Sequence, residues 1–344
     1  MTEVAQLPYA HGGPPLRAVL RATVEDFEVD EELGFEPSGS GEHVFVRIEK
    51  RETNSEWLAR RLAAFAGVAP VAVGIAGLKD RRALTRQTFS VHLAGRTEPD
   101  WRALDIPGVR VLSTARHHRK LKRGAHRGNR FRLRLREVAG DRCEADRRLG
   151  VIATCGVPNY FGEQRFGHGA GNLANARALF SGARLPRAQR SMALSAARAQ
   201  LFNRVLAERV ASSTWDQASD GDVWMLAGSR SLFGPEGCDE RLGARLAHFD
   251  IHPTGPMWGR GALRSGGSVR AIEQAVADAE ADLSTGLARA GLDQERRSLR
   301  LAVTDLCHDW SSSGTLGLEF FLESGTFATT MLRELCDCSG RGNS

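Results

Sequence analysis

The sequence predicts an α/β (α+β) protein, with a sheet-forming region at each end of the chain and a mainly helical stretch between them. Three observations predict it. Period-two alternation of apolar residues recurs within residues 18–136, helical spacing dominates residues 156–300, and alternation returns from residue 299. With 344 residues and 42% apolar content the chain can bury a sizeable core, arranged as two domains.

Residues 1–17 read as a loose lead-in, with His11-Gly12-Gly13-Pro14-Pro15 as a breaker cluster. Residues 18–29 and 43–48 read as strands, the second placing Val44, Val46 and Ile48 on one face. Thr53-Asn54-Ser55-Glu56 has the form of a capping box. The helix it opens carries Trp57, Leu58, Arg61, Leu62 and Phe65 at helical spacing. The apolar run 71–75 leads into a glycine turn around Gly77, and residues 87–93 are extended again. Composition changes near Cys155. Beyond it, residues 170–180 and 190–210 are the clearest helices, the latter with Leu194, Leu201, Phe202, Val205 and Leu206 on a core-facing stripe. Arg190, Arg198, Arg204 and Arg209 on that helix suit an anion contact or a solvated face equally. Residues 253–259 read as a loop or chain of turns, 269–287 as one acidic, alanine-rich helix, and 299–303 and 316–322 as strands. The pattern is one sheet-containing domain interrupted by a helical insertion, with no internal repeat.

Lys and Arg number 47 against 41 Asp and Glu, and the pI is near 9.3. The location of the charge says more than its sum. Residues 116–136 contain no acidic residue, and within them Phe131, Leu133 and Leu135 alternate with Arg130, Arg132, Arg134 and Arg136. A strand there buries one face and offers guanidinium groups on the other, a phosphate-binding surface that a disordered tail has no need of. No amphipathic helix with an aromatic face accompanies this charge, which favours nucleic acid over membrane.

The N-terminus lacks a basic segment followed by an apolar one, Glu3 comes early, and no run of eighteen apolar residues exists. The expected compartment is cytoplasmic. Six scattered cysteines, Cys143, Cys155, Cys238, Cys307, Cys336 and Cys338, are not a disulfide framework. Cys307-His308 and Cys336-x-Cys338 lack the paired spacing of a zinc site, so reduced, unliganded thiols and no metal are expected. Gly167-His168-Gly169-Ala170-Gly171-Asn172 lacks a preceding strand and the Gly-Lys-Ser/Thr ending of a phosphate loop, which argues against a nucleotide cofactor. The tail 339–344 is uninformative.

The most informative residue is Asp80, in Ala76-Gly77-Leu78-Lys79-Asp80-Arg81-Arg82. A lone carboxylate at a turn, flanked by cations, is favoured in its ionised form, as a nucleophile or base requires. A surface ion pair capping a turn gives the same local pattern.

Several motifs together resemble the TruD family of tRNA pseudouridine synthases. Gly77-x-Lys79-Asp80-x-x-Ala83-x-Thr85-x-Gln87 is similar to the family's catalytic motif, and Glu25-Asp26-Phe27-Glu28-Val29 to its N-terminal substrate-facing motif. Arg119-Lys120-Leu121-Lys122-Arg123-Gly124 with Gly128-Asn129-x-Phe131 resembles its basic strand motif. Asn159-Tyr160-Phe161-Gly162-Glu163-Gln164-Arg165-Phe166-Gly167 and Pro253-Thr254-Gly255-Pro256-x-Trp258-Gly259 resemble its insertion domain, and Ser324-Gly325-Thr326-Phe327-Ala328-Thr329 its C-terminal segment.

The resemblance implies a pseudouridine-synthase catalytic domain with a mixed, mostly antiparallel sheet, interrupted by a family-specific α/β insertion. The expected segments are 1–154 and 304–344 for the catalytic domain and 155–303 for the insertion. It implies isomerisation of uridine to pseudouridine in tRNA, at uridine 13, by a monomer and without cofactor. Asp80 is then the catalytic carboxylate, attacking C1′ or abstracting the 2′ proton. Phe27, Phe131 and Phe327 lie near the target uridine, Asn129 hydrogen-bonds to it, and Gln87, Glu28 and Lys79 support or orient the pocket. Arg21 stands where family members often carry Lys. Phe131 suits a pocket wall and a plain core residue equally.

One rival is a non-catalytic tRNA-binding or RNA-folding protein. Phosphate binding gains nothing from a carboxylate at the centre of the site, which argues against it. A nuclease would display His pairs or clustered carboxylates, and a retaining glycosidase two carboxylates about 5 Å apart. His117-His118 is the one His pair, within the basic run, and only Glu28 or Glu163 suggests itself as a second carboxylate.

Overall fold

The computed structural model describes residues 7–235, 237, 239–311 and 314–338; the first part of the lead-in, Cys238 and the tail 339–344 lie outside the described residues. In chain order the elements are β1 (Leu16–Val19), β2 (Phe27–Glu32), β3 (His43–Arg51), α1 (Ser55–Phe65), β4 (Val73–Ile75), β5 (Leu84–His92), β6 (Val109–His117) and β7 (Gly128–Gly140). There follow α2 (Arg142–Cys155), β8 (Val157–Pro158), α3 (Gly171–Phe180), α4 (Arg187–Ala211), β9 (Trp224–Leu226), β10 (Leu232–Phe233), α5 (Glu240–Ala247) and β11 (Ile251–Met257). The chain closes with α6 (Gly267–Ala279), α7 (Ala281–Arg289), β12 (Glu295–Ser298), β13 (Arg300–Leu301), β14 (Thr304–Trp310), β15 (Leu316–Glu323), α8 (Ala328–Leu335) and β16 (Cys336–Asp337). It forms two compact units, one of Pro15–Ala145, Val303–Ala328 and Cys336–Ser344, the other of Met1–Pro14, Asp146–Ala302 and Thr329–Leu335. No helix among the described residues is long and apolar enough to cross a membrane.

The first unit is built on a sheet in the order β14-β15-β7-β2-β5-β3-β6, with β1 added on β7 and β16, and β4 on β5. The β2–β5 and β1–β16 pairs are parallel and the others antiparallel, so the sheet is mixed and mostly antiparallel. Residues 18–29 are not one strand. A tight turn at Val24–Asp26 splits them, because the Thr23 amide donates to the Asp26 carboxylate at 2.9 Å and Arg136 clamps that buried carboxylate at 2.8 Å. Helix α1 begins differently from the expected box. Its cap is Asn54, whose Oδ1 accepts from the amides of Glu56 and Trp57 at 2.8 and 3.0 Å, while the Thr53 hydroxyl turns back to the Arg51 carbonyl. Gly67, at φ +64°, ends the helix with the Val68 amide on the Ala63 carbonyl, a reversal that favours glycine. Leu58 and Leu62 pack on Val46, Ile48 and Phe89 with no residual exposure, each burial stabilising by roughly 1.5–3 kcal/mol.

The second unit packs α3, α4, α6 and α7 around a core that includes Leu194, Leu201, Phe202, Val205 and Leu206. The stripe on α4 is as the spacing predicts, but three of its arginines serve structure. Arg209 is buried against Asp222 at 2.8 Å, Arg198 donates to the carbonyls of Met257 and Trp258, and Arg204 lies 3.9 Å from Glu280. The single helix expected over 269–287 is two, broken at Glu280. Helix α2 was not anticipated, although its buried residues Ala145, Leu149 and Ile152 recur at helical spacing. Of residues 253–259, for which turns are expected, 253–257 belong to strand β11. It pairs with β9 through Ile251–Pro253 and with β12 through Thr254–Met257, so most of its length is bonded along one edge only, where proline's missing N–H is tolerated.

His252 on β11 is buried, with its Nδ1 accepting from Arg300 Nε at 3.4 Å. Burial, reinforced by Arg300 and opposed by Asp250, pushes its imidazole down to about 4. An unfolded chain takes up this proton near pH 6.5, whereas the folded one refuses it until about 4. His252 therefore contributes stability that is present above pH 6.5 and lost as the pH falls towards 4, at most about 3 kcal/mol. Urea midpoints between pH 7 and 4.5 are expected to fall less steeply in His252→Gln than in the wild type.

Candidate active site

The strand registers sort the first unit's side chains onto two faces. Val29 opposes Phe131 and Glu31 opposes Asn129, while Lys50 opposes Thr85 and Ile48 opposes Gln87. Val29 in turn opposes Thr85. Alternation then places Phe27, Glu31, Lys50, Thr85, Gln87, Asn129 and Phe131 on one face, and Glu28, Asp30, Glu32, Glu49, Arg86, Arg130, Arg132 and Arg134 on the other.

Asp80 lies in the loop between β4 and β5, over the first face. Its side chain is half exposed, and Arg21 Nη2 holds Oδ2 at 2.5 Å. Arg21 has φ +62°, and its guanidinium carbon lies 4.0 Å from the centre of the Phe27 ring. Phe27 meets Phe131 edge-on at 6.1 Å, and Phe131 stacks on Phe320 at 5.4 Å. Asp80, Arg21, Phe27 and Phe131 are thus joined by direct contacts.

The loop that carries Asp80 is fixed from beneath. Gln87 is buried; its amide Nε2 donates to the Gly77 carbonyl at 2.5 Å and its Oε1 accepts from the Ser55 hydroxyl at 2.8 Å. The Ser55 oxygen also accepts from the Lys79 amide at 3.2 Å. Lys79 turns inward, and its ammonium meets the buried Glu31 carboxylate at 2.6 Å. The other oxygen of Glu31 accepts from the Thr88 amide at 3.0 Å. Lys50 lies below the loop and donates to the carbonyls of Thr53 at 2.7 Å and Asp80 at 3.3 Å. Burial and the neighbouring Lys79 push the Lys50 ammonium down to about 8, against the attraction of Asp80.

Asn129 is buried at the start of β7, and its Oδ1 has no hydrogen-bond partner among the described residues. Gly128 makes that placement possible. A Cβ there would lie 2.2 Å from the Leu322 carbonyl oxygen of β15. Phe327 follows β15, is 41% exposed and makes no ring contact among the described residues. Glu28 does not join the group. It lies on the opposite face, 3.4 Å from Arg86, which also holds Glu49 at 3.0 Å.

The basic alternation of β7 also has a different role from the expected one. Arg130 pairs with Glu32 and Asp305, Arg132 with Glu319, and Arg136 with the buried Asp26. These three guanidinium groups are paired with carboxylates of the same unit, whereas Arg134 is exposed with no carboxylate within ion-pair distance among the described residues.

Four residues of this site were not singled out from the sequence: Glu31, Lys50, Ser55 and His126. For Lys50 a signal existed, since it continues the alternation of Val44, Val46 and Ile48 by one step. His126 is buried, with Nδ1 3.3 Å from the Ser324 hydroxyl and its ring against Gly77. Burial and Lys79 hold its imidazole below the usual range, and Glu31 acts in the opposite direction. Among the described residues no three of His, Cys, Asp or Glu gather in a metal-binding cluster.

The mixed α/β architecture has a solved counterpart. A structure of tRNA pseudouridine synthase D (TruD) type from Methanosarcina mazei superposes with a TM-score of 0.71 over 95% of each chain, at 22% identity, and so shares the fold of this one. The family description tRNA pseudouridine synthase D (TruD) matches residues 3–174 and 171–335. A curated tRNA pseudouridine synthase D from Xanthomonas euvesicatoria pv. vesicatoria is 50% identical, covering 99% of this chain and 97% of its own length. One of the same name from Methylococcus capsulatus is 48% identical over 98% of this chain and 96% of its own length. The chain belongs to the TruD family of tRNA pseudouridine synthases.

Proposed function

We propose that this protein isomerises uridine 13 of tRNA to pseudouridine, with Asp80 as the catalytic carboxylate. The observation that carries the reading is the contrast between the carboxylates. Glu31 is buried and bound to Lys79, Glu28 is 19% exposed and held by Arg86 on the far face, and Asp80, paired with Arg21, is half exposed beside Phe27 and Phe131.

A stacked uridine must leave the RNA stack to reach such a carboxylate, at a cost of a few kcal/mol. Phe27 and Phe131 are buried, the Arg21 guanidinium lying 4.0 Å over Phe27, so contact with these rings offsets part of that cost once Arg21 moves aside. The unpartnered Asn129 oxygen is a suitable acceptor for the N3–H of uracil. Asp80 then attacks C1′ as the N1–C1′ bond breaks, and its ester bond is in turn displaced when C5 of the turned base bonds to C1′. In the other route it takes the 2′ proton as that bond breaks and returns it to C2′ as the C5–C1′ bond forms. In both routes the C5 proton leaves and N1 gains one. Bond broken and bond made lie in one molecule, so no co-substrate is consumed and no cofactor is called for. In this reading the sheet-based unit is the catalytic domain and residues 155–303 are the family's insertion. The protein works as a cytoplasmic monomer.

A tRNA transcript tritiated at uridine C5 tests this. One tritium is expected to be released per tRNA, and a transcript with cytidine at position 13 is expected to release none. Release that persists with cytidine at position 13 would assign the enzyme to another uridine.

A further inference from the structure

On the face opposite Asp80 is a cavity of about 570 Å³, within the roughly 300–1,000 Å³ range of small-ligand pockets. None of the residues assigned above to the uridine site lines it. Its wall is aromatic. The His117 ring lies 4.6 Å from Phe45 and 5.4 Å from Phe35, and the two phenyl rings are 6.3 Å apart. Phe45 is buried against Leu33, Ala76 and Leu121, whereas Phe35 is 39% exposed and so presents ring surface to the cavity's opening.

Two further features specify the ligand. First, His117 is an uncharged ring. The Ser38 amide donates to its Nδ1 at 3.2 Å, which requires that nitrogen to be unprotonated, and burial with His118 and Arg119 nearby lowers its imidazole. It can therefore stack as an aromatic. Second, the rim is cationic and unneutralised. Arg119 and Lys122 are exposed and have no carboxylate within ion-pair distance among the described residues. Lys120, by contrast, is spent on the Val71 carbonyl at 2.5 Å. The loop that bears these groups is anchored, the Leu121 amide on Ser90 Oγ at 2.9 Å and the Gly124 amide on the Ala76 carbonyl at 2.7 Å. A Cβ at Gly41 would lie 2.5 Å from the His117 carbonyl oxygen, so the facing loop is closely fitted too.

We propose that this cavity is a second nucleobase site, which takes one unstacked base of the RNA, other than the target uridine, against Phe35 and His117. Arg119 and Lys122 hold its flanking phosphates. Aromatic faces with free cations at the rim are the pattern by which single-stranded nucleotides are bound without base-edge readout. A hydrophobic peptide would leave the two cations without partners. The proposal rests on the reading of this protein as a tRNA-modifying enzyme, and it adds a contact that selects RNA with an extruded base outside the reaction centre.

The test measures tRNA affinity and saturated tritium release for the wild type, Phe35→Ala, Phe35→Trp and the pair Arg119→Ala/Lys122→Ala. Phe35→Ala is expected to weaken tRNA binding about 5- to 150-fold, with Phe35→Trp close to wild type and saturated release unchanged in both. The arginine–lysine pair is expected to reduce the slope of log affinity against log salt by about 1.4–2. An abasic substitution at one nucleotide should weaken the wild type but leave Phe35→Ala unaffected. Unchanged affinity in Phe35→Ala, or no abasic position coupled to it, overturns the proposal, and so does an unaltered salt slope. Wild-type protein that binds tRNA but releases no tritium would refute the isomerase reading while leaving this site standing.

Discussion

Asp80→Asn is expected to lower tritium release by about four orders of magnitude or more, with tRNA affinity within about twofold of wild type. The substitution keeps the shape of the side chain and removes the charge that, in the proposed mechanism, attacks C1′ or takes the 2′ proton. It also ends the ion pair with Arg21, but that pair involves a half-exposed carboxylate and contributes at most about 1 kcal/mol. The loop should hold its place, since Gln87, Ser55 and Lys50 bind its backbone rather than the Asp80 carboxylate. Asp80→Glu is the companion variant. It restores the charge one methylene further out, and misplacement on the order of 1 Å costs about 10²-fold. An Asp80→Asn protein that still releases tritium at more than a hundredth of the wild-type rate would move the catalytic carboxylate elsewhere.

The fold class was legible because alternation survives wherever one face of a sheet is buried. Strands β3, β7 and β15 and helix α4 all show their period in the sequence. What failed did so for local reasons. The break in residues 18–29 depends on Arg136, over a hundred positions away, clamping Asp26. Strand β11 contains two prolines and a glycine, and reads as a strand only once its partners are known to meet it over different residues. The Asn54 cap and the Thr53–Glu56 box differ by one residue, which spacing alone does not resolve.

Site residues divided along the same line. Asp80, Gln87, Lys79, Phe27, Phe131 and Asn129 lie within short motifs, and the structure gathers them on or over one sheet face. Glu28 adjoins Phe27 in the sequence, yet in a strand neighbours point apart, so the two cannot line one pocket. That parity was readable in advance. The partners of Arg130, Arg132 and Arg136 were not, because the carboxylates that bind them come from β2, β14, β15 and the Val24–Asp26 turn, and such pairing leaves no trace in one strand's pattern. The same holds for Glu31, whose role depends on Lys79, 48 positions away.

That pair carries the second large effect. Glu31→Ala is expected to destabilise the sheet-based unit by about 3–5 kcal/mol, as is usual when one partner of a buried ion pair is removed. Neither side chain can turn to water, being 0% and 4% exposed. Without Glu31 the Lys79 ammonium is left buried beside Lys50 and His126, both of which already sense its charge, and the Thr88 amide loses its acceptor. Activity should fall as well, because Lys79 adjoins Asp80 and anchors the loop. Glu31→Leu combined with Lys79→Met separates the two consequences. Replacing a buried pair by apolar residues of similar size is often neutral or stabilising, so the double variant should recover most of the urea midpoint. Its tritium release should stay low if the ion pair sets the height of the loop. If Glu31→Ala shifts the midpoint by less than the equivalent of about 1 kcal/mol, the pair is hydrated in solution and the loop is held by Gln87, Ser55 and Lys50.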